Sequence, residues 1–289
     1  MTCTPPWQEA TIRDLAPLLQ PDDDVRALVL CGSAIPSRRD RDLDAWSDID
    51  IMLVVAEGAL DRFHPSLDWL RPLGEIYAYA QSATAFSRTT RVCFREGRRL
   101  DLLVTTEAAL ARVAEWPFVP FWSGTETVFS RSAAVDRALT ATYQRPAPPL
   151  ISADQFAAMA NDFWFKATLA LTKVVRDDLL IALHLALDLV RDCCVLGMFL
   201  RDRARGTAHH RTGGIGNEIV ARLKATRQPY TAAGILDSLE GSAVAFDRLA
   251  GQWDAVYLER QGPLLAWIGA ARRTVSSGHG GRTENPPVL

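Results

Sequence analysis

A chain of 289 residues, 48% hydrophobic and 23% charged, is long enough for two domains with separate cores and has the composition of a globular protein. Its formal net charge of −2, with no long basic stripe, argues against a nucleic-acid substrate, because phosphate-backbone binding depends on clustered Lys and Arg. The cysteines (Cys3, Cys31, Cys93, Cys193 and Cys194) are odd in number and lack disulfide or zinc spacing; with no basic-plus-apolar leader, the expected compartment is the cytoplasm.

Pro5-Pro6 precedes Trp7–Leu19, whose apolar positions recur at helical spacing. Asp22-Asp23-Asp24 reads as a solvated turn into an apolar strand, Val25–Cys31, which ends at Gly32-Ser33. Arg38, Arg39 and Arg41 form a small basic knot, readable as a solvated loop or as a contact for a triphosphate or departing pyrophosphate. A second apolar run, Ile49–Val55, opens with Asp48-Ile49-Asp50. A helix-like stretch, Ala56–Phe63, leads through a Pro-Ser turn to a strand-like run near Ile76–Ala80. Thr90–Arg95 and Arg99–Val104 then read as a hairpin turned at Glu96-Gly97-Arg98, with helix-like Glu107–Glu115 behind it.

Three prolines within Gln144–Leu150 mark a linker. Ser152 with Gln155 matches a capping box, and helical periodicity dominates from there to about residue 270. Leu179–Leu200 is strongly apolar, but His184, Asp188, Arg191 and Asp192 interrupt it, so it reads as a buried bundle helix and not a membrane span. Gly213-Gly214-Ile215-Gly216 marks a loop between helices, and the polar Ser276–Leu289 reads as disordered. The expected fold is α+β: a mixed-sheet domain over residues 1–145, an all-α helical bundle over 151–273, and a disordered tail over 274–289.

The chemistry concentrates in the first half. On a strand, side chains alternate faces, so Asp48 and Asp50 project to one side while Ile49, Ile51 and Leu53 enter the core. Their Cα atoms then lie roughly 6–7 Å apart, close enough for both carboxylates to reach ions that bridge a triphosphate. The Gly32-Ser33 turn offers backbone N–H groups to phosphate oxygens, and Gly permits close approach. Asp101 is an acid inside the apolar stretch Leu100–Val104, read either as a third metal ligand or proton acceptor, or as the partner of Arg99 or Arg91 in a salt bridge. Three carboxylates with phosphate oxygens suit Mg²⁺. In the second half, a largely helical Phe156–Phe199 would align Lys166, Lys173, Asp177, His184, Asp188 and Arg191 near one azimuth, either as a water-facing stripe or as the lining of a cleft, and a break near Asp177-Asp178 would weaken that alignment.

Cys31-Gly32-Ser33-Ala34, then Trp46-Ser47-Asp48-Ile49-Asp50-Ile51, then Asp101 on a later strand, together resemble the polymerase-β-type nucleotidyltransferase superfamily. Within it the chain is most similar to the aminoglycoside 6-adenylyltransferases, the streptomycin-adenylylating family. Phe94-Arg95-Glu96-Gly97-Arg98-Arg99-Leu100-Asp101-Leu102 is similar to that family's "F-x-D-G-x-x-I-D-L" hairpin. Asn161-Asp162-Phe163-Trp164-Phe165, with Arg176-Asp177-Asp178, is similar to its "N-x-F-W-W … R-D-E" helix, although Phe165 and Asp178 stand where the family has Trp and Glu. Lys173 lies one place beyond the family's usual Lys position, which Thr172 occupies.

The resemblance implies an enzyme that moves AMP from ATP to a hydroxyl of a cationic acceptor such as an aminoglycoside, with Mg²⁺ held by Asp48, Asp50 and Asp101. Gly32, Ser33, Arg38 and Lys173 would contact the nucleotide. Asp101, with Asp178 behind it, is the candidate for proton acceptance, and Trp164, Asp177 and Asp178 are the candidates for acceptor binding. A protein or RNA acceptor, or a non-catalytic nucleotide-binding module, are the alternative readings. A monomer or weak dimer, with no membrane partner, is expected.

Overall fold

Among the described residues, six strands carry the first half of the chain: β1 (Val25–Cys31), β2 (Ile49–Val55), β3 (Ile76–Ala83), β4 (Ser87–Phe94), β5 (Arg99–Thr106) and β6 (Glu126–Ser130). They form one sheet of order β3-β4-β5-β2-β1-β6, in which β2 and β5 run parallel and the other neighbours antiparallel. The computed structural model describes residues 7–35, 46–116, 119–121, 124–144, 147–148, 150–210, 214–223 and 230–278. The chain divides into two compact units, Met1–Pro146 and Ala147–Leu289.

Alternation along the central strands builds two cores, one on each face of the sheet. Ile49, Ile51, Leu53 and Val55 of β2 join Leu100, Leu102 and Val104 of β5 in the larger one, closed by Leu15 and Leu19 of α1 (Trp7–Leu19) and by Phe63 of α2 (Leu60–Phe63). Met52 and Val54 face the other way, against Leu110 of α3 (Glu107–Ala111) and Val135 of α4 (Ala133–Thr140). The register of β1 slips between Val25 and Ala27, so Val25 and Leu28 reach the same core despite their odd spacing.

The expected hairpin is present: Phe94 N–H donates to the Arg98 carbonyl at 2.9 Å, and Gly97 takes the positive φ of +82° that closes the turn. Ala56–Phe63 is less regular than expected, a 3₁₀ turn at Glu57–Ala59 leading into α2. Glu107–Glu115 likewise splits into α3 and a 3₁₀ turn, Val113–Glu115. Strand β6 and helix α4 were not expected.

The second unit is helical: α5 (Ala153–Val175), α6 (Leu179–Arg205), α7 (Asn217–Leu223), α8 (Ala232–Trp253) and α9 (Gln261–Gly278). Ser152 and Gln155 form the capping box, with Gln155 Oε1 accepting from Ser152 N–H at 2.9 Å and Ser152 Oγ from Gln155 N–H at 3.1 Å. Phe163 of α5 stacks on Phe246 of α8, ring centroids 3.8 Å apart, at the centre of a core that includes Leu189, Leu196 and Leu239. The mixed sheet followed by a helical unit is the fold class read from the sequence.

Two expectations are corrected here. Phe156–Phe199 is not one helix: Asp177 adopts φ +61°, Asp177 N–H donates to the Val174 carbonyl and Asp178 N–H to the Lys173 carbonyl, both at 3.0 Å, and α5 stops. The single azimuth proposed for Lys166 through Arg191 is therefore cut. The assigned tail also begins too early, because α9 continues to Gly278. Residues 279–289 lie outside the described residues, as do Cys3, Pro5-Pro6, Arg38, Arg39, Arg41 and Gly213. Among the described residues, no helix is long and apolar enough to cross a membrane.

Candidate functional site

Cys31, Asp50, Asp101 and Arg91 stand in one row across β1, β2, β5 and β4, each facing its neighbour in Cα register. Asp50 and Cys31 share the sheet face of Val29, Met52 and Val54, and Asp101 that of Leu103. Asp48 lies just before β2, so two parallel neighbours and the loop leading into one of them bring three acids to the same end of the sheet.

Gly32 shapes this end. It has φ +66° and starts the 3₁₀ turn Gly32–Ala34, with Ser33 half-buried at its centre. A Cβ built on Gly32 would lie 2.9 Å from Asp50 Cγ and closer still to Oδ2. Both the backbone conformation and the space therefore demand glycine, which lets the Asp50 carboxylate rest against the turn. Beside them, the Cys31 thiol is buried; burial and the nearby Asp50 charge push its pKa up to about 12, so it stays protonated near neutrality.

Asp101 accepts a hydrogen bond from Arg91 Nε at 3.0 Å. Burial, reinforced by the charge of Asp48, raises its carboxyl above the ordinary carboxylate range, against the opposing pull of Arg91 and Arg99. Asp48 lies 3.6 Å from Arg99 Nη2, which also donates to the Trp46 carbonyl at 3.2 Å. Asp101 is thus salt-bridged as one of its two readings proposed, and of the two named arginines Arg91 makes the bond. The hairpin carried that signal, because Arg91 and Asp101 are equidistant from the turn residue Glu96. The Arg99–Asp48 contact and the close packing of Asp50 on Gly32 had no such local cue.

Among the described residues, no three carboxylate, thiolate or imidazole groups are gathered at one point for a metal ion. The backbone sets Asp50 beside Asp101, but the carboxylates do not converge: Asp101 is turned onto Arg91 and Asp48 leans toward Arg99. The donor set nonetheless suits Mg²⁺, being hard carboxylate oxygens on adjacent strands and the loop before one of them, with the Asp50 carboxylate seated against a glycine turn. Asp48, Asp50 and Asp101 are the residues that could hold such an ion.

The candidates on the helical unit fare differently. Trp164 is 5% exposed; its ring packs edge-on to Phe163 and Phe246, and Nε1 donates to Tyr257 Oη at 2.9 Å. Tyr257 Oη in turn donates to buried Asp247 at 2.7 Å, whose other oxygen accepts from the N–H groups of Arg260 and Gln261 at the start of α9. Asn161 joins the network by accepting from Arg260 at 2.7 Å. The Asn161–Trp164 motif therefore ties helices together, and of the two readings of Trp164, packing in the core or stacking on an acceptor sugar, its burial favours the first. Lys173 and Asp178 hold each other at 2.9 Å across the α5–α6 joint, and this bond pulls the Asp178 carboxyl below its ordinary range. Asp177 is exposed beside them. Lys166 pairs with Asp162 and Asp192.

A family model described as streptomycin adenylyltransferase matches residues 9–199. No curated protein matches the chain. Among solved structures, the chain is similar to an aminoglycoside 6-adenyltransferase from Bacillus subtilis, at 15% identity and a TM-score of 0.34, over 95% of this chain and 99% of that one. It is also similar to a nucleotidyltransferase-like protein from Exiguobacterium sibiricum 255-15, at 12% identity and a TM-score of 0.31, over 94% of this chain and 91% of that one.

Proposed function

The chain belongs to the streptomycin adenylyltransferase family and is a nucleotidyltransferase; on that footing we propose that it moves AMP from ATP to a hydroxyl of an aminoglycoside such as streptomycin and releases pyrophosphate. The observation that carries this reading is the register pair Asp50–Asp101, with Asp50 packed against a turn at Gly32 that excludes any side chain. Like charges on neighbouring strands repel, and a divalent cation shared between these acids would offset that repulsion.

Asp48, Asp50 and Asp101 would hold Mg²⁺, which when bound neutralises charge developing on the phosphates. The backbone N–H groups of Gly32 and Ser33, with the Ser33 hydroxyl, would grip the terminal phosphates. The acceptor hydroxyl oxygen bonds to the α-phosphorus as the bond from that phosphorus to the bridging oxygen breaks, and pyrophosphate carries the electron pair away. Asp101 would take the hydroxyl proton, and burial and the charge of Asp48 raise its affinity for one. On the helical unit, exposed Asp177 and neighbouring Asp178 offer negative charge to the ammonium groups of a cationic acceptor, with Lys173 as a nucleotide contact. The availability of ATP favours action in the cytoplasm.

The direct test is pyrophosphate release from Mg-ATP across a panel of aminoglycosides that includes streptomycin. Turnover dependent on one or more of them supports the assignment. Label from α-phosphate-labelled ATP that reaches protein or RNA, with none on any aminoglycoside, refutes it.

A further inference from the structure

We propose that Arg91 and Arg99 compete with the divalent cation for the Asp101 and Asp48 carboxylates, so that the ion must displace both guanidinium groups before those acids can share it. The inference rests on the metal role assigned above to these acids. Its structural basis is separate from that role.

Arg91 reaches Asp101 through the sheet itself. The two residues are register partners on β4 and β5, so the 3.0 Å bond from Nε follows from strand pairing. Arg99 begins the same strand β5 and approaches Asp48 at 3.6 Å while its Nη2 is fixed by the Trp46 carbonyl. One short hairpin therefore delivers a guanidinium to two of the three acids. Among the described residues no metal-holding group of three is gathered.

The two arginine side chains are more than half exposed, at 69% and 54%. An ion pair at such a surface is held weakly, so a doubly charged cation with hard oxygen affinity displaces it. Arginine keeps its charge at any working pH, so the competition is not relieved by titration of the guanidinium. These residues act on the ion through the acids and are positioning residues.

The test is Mn²⁺ binding to the full-length, nucleotide-free protein, followed by the paramagnetic resonance signal of free Mn²⁺. Arg91→Gln should tighten Mn²⁺ binding about two- to fivefold, the worth of an exposed ion pair. Arg88→Gln is the control, because it removes a positive charge from the same strand where the guanidinium donates to the Thr84 and Ser87 carbonyls. It should leave the affinity unchanged. A merely structural role for Arg91 predicts weaker binding on its loss, never tighter. Unchanged or weakened binding in Arg91→Gln, or an equal gain in Arg88→Gln, overturns the proposal. Asp50→Asn separates the two levels of inference: if it binds Mn²⁺ as wild type does, the metal role of the acids has failed, whatever the arginines do.

Discussion

Gly32 and Asp50 approach so closely that a single methyl group on the glycine would come within 2.9 Å of Asp50 Cγ. Gly32→Ala therefore has two separable costs. Holding alanine at φ +66° costs about 1–2 kcal/mol of stability. Displacing Asp50 by even ~1 Å lowers the transfer rate by on the order of 10²-fold. Pyrophosphate release, read beside a thermal melt, distinguishes these effects, and near-normal turnover in a folded Gly32→Ala protein would show that the turn does not set the position of Asp50.

Asp101 predicts a pH dependence of stability. Its folded pKa is raised, chiefly by burial and then by Asp48, so its stabilising contribution is complete below the ordinary value of 3.8 and is lost as pH rises through the folded value. Asp101→Asn keeps the neutral form at every pH. Relative to wild type, the variant should gain stability across that window and hold a constant difference above it; the pull of Arg91 on the ionised carboxylate is already contained in the folded value. Urea unfolding in chelator at a series of pH values measures this; a difference of opposite slope would contradict the assignment.

Cys31 should be silent toward thiol reagents. With its pKa pushed up to about 12 and its side chain buried, native protein at pH 8 carries almost no thiolate there. Mass-spectrometric mapping after brief treatment with a disulfide reagent should find Cys31 unmodified in folded protein and fully modified in denatured protein. Raising the pH to 9 should not change the folded result.

Trp164→Phe tests the packing role of the aromatic motif. The change removes the indole donor to Tyr257 and some packing against Phe246, for a loss of about 1–2 kcal/mol in denaturant unfolding. The KM for the acceptor should stay at its wild-type value. A raised KM with unaltered stability would return Trp164 to the binding site.

What could be read from the amino acids alone was whatever is local. Gly32-Ser33, Asp48-Ile49-Asp50 and the Glu96-Gly97-Arg98 turn each announce themselves within a few residues, and the alternation around them assigned Ile49, Ile51 and Leu53 to the core where they lie. Strand β6 escaped because its pairing is remote, with Phe129 opposite Leu28, and its exposure shows no clean alternation. The break between α5 and α6 was open from the sequence near Asp177-Asp178, but its signal was weak because Asp177, not glycine, takes the left-handed position. The pull of Arg99 on Asp48 crosses from the hairpin to another strand's entry loop, a juxtaposition that only the parallel β2–β5 pairing creates.

That parallel pairing also protects the enzyme from its own ambiguity. If β2 slid by one residue against β5, Ile49 and Ile51 would leave the core they share with Leu100 and Leu102, and Asp50 would turn into it. The register of the reactive edge is thereby enforced by greasy side chains, and a slip of Asp50 against Asp101 along the strands would also disrupt the core.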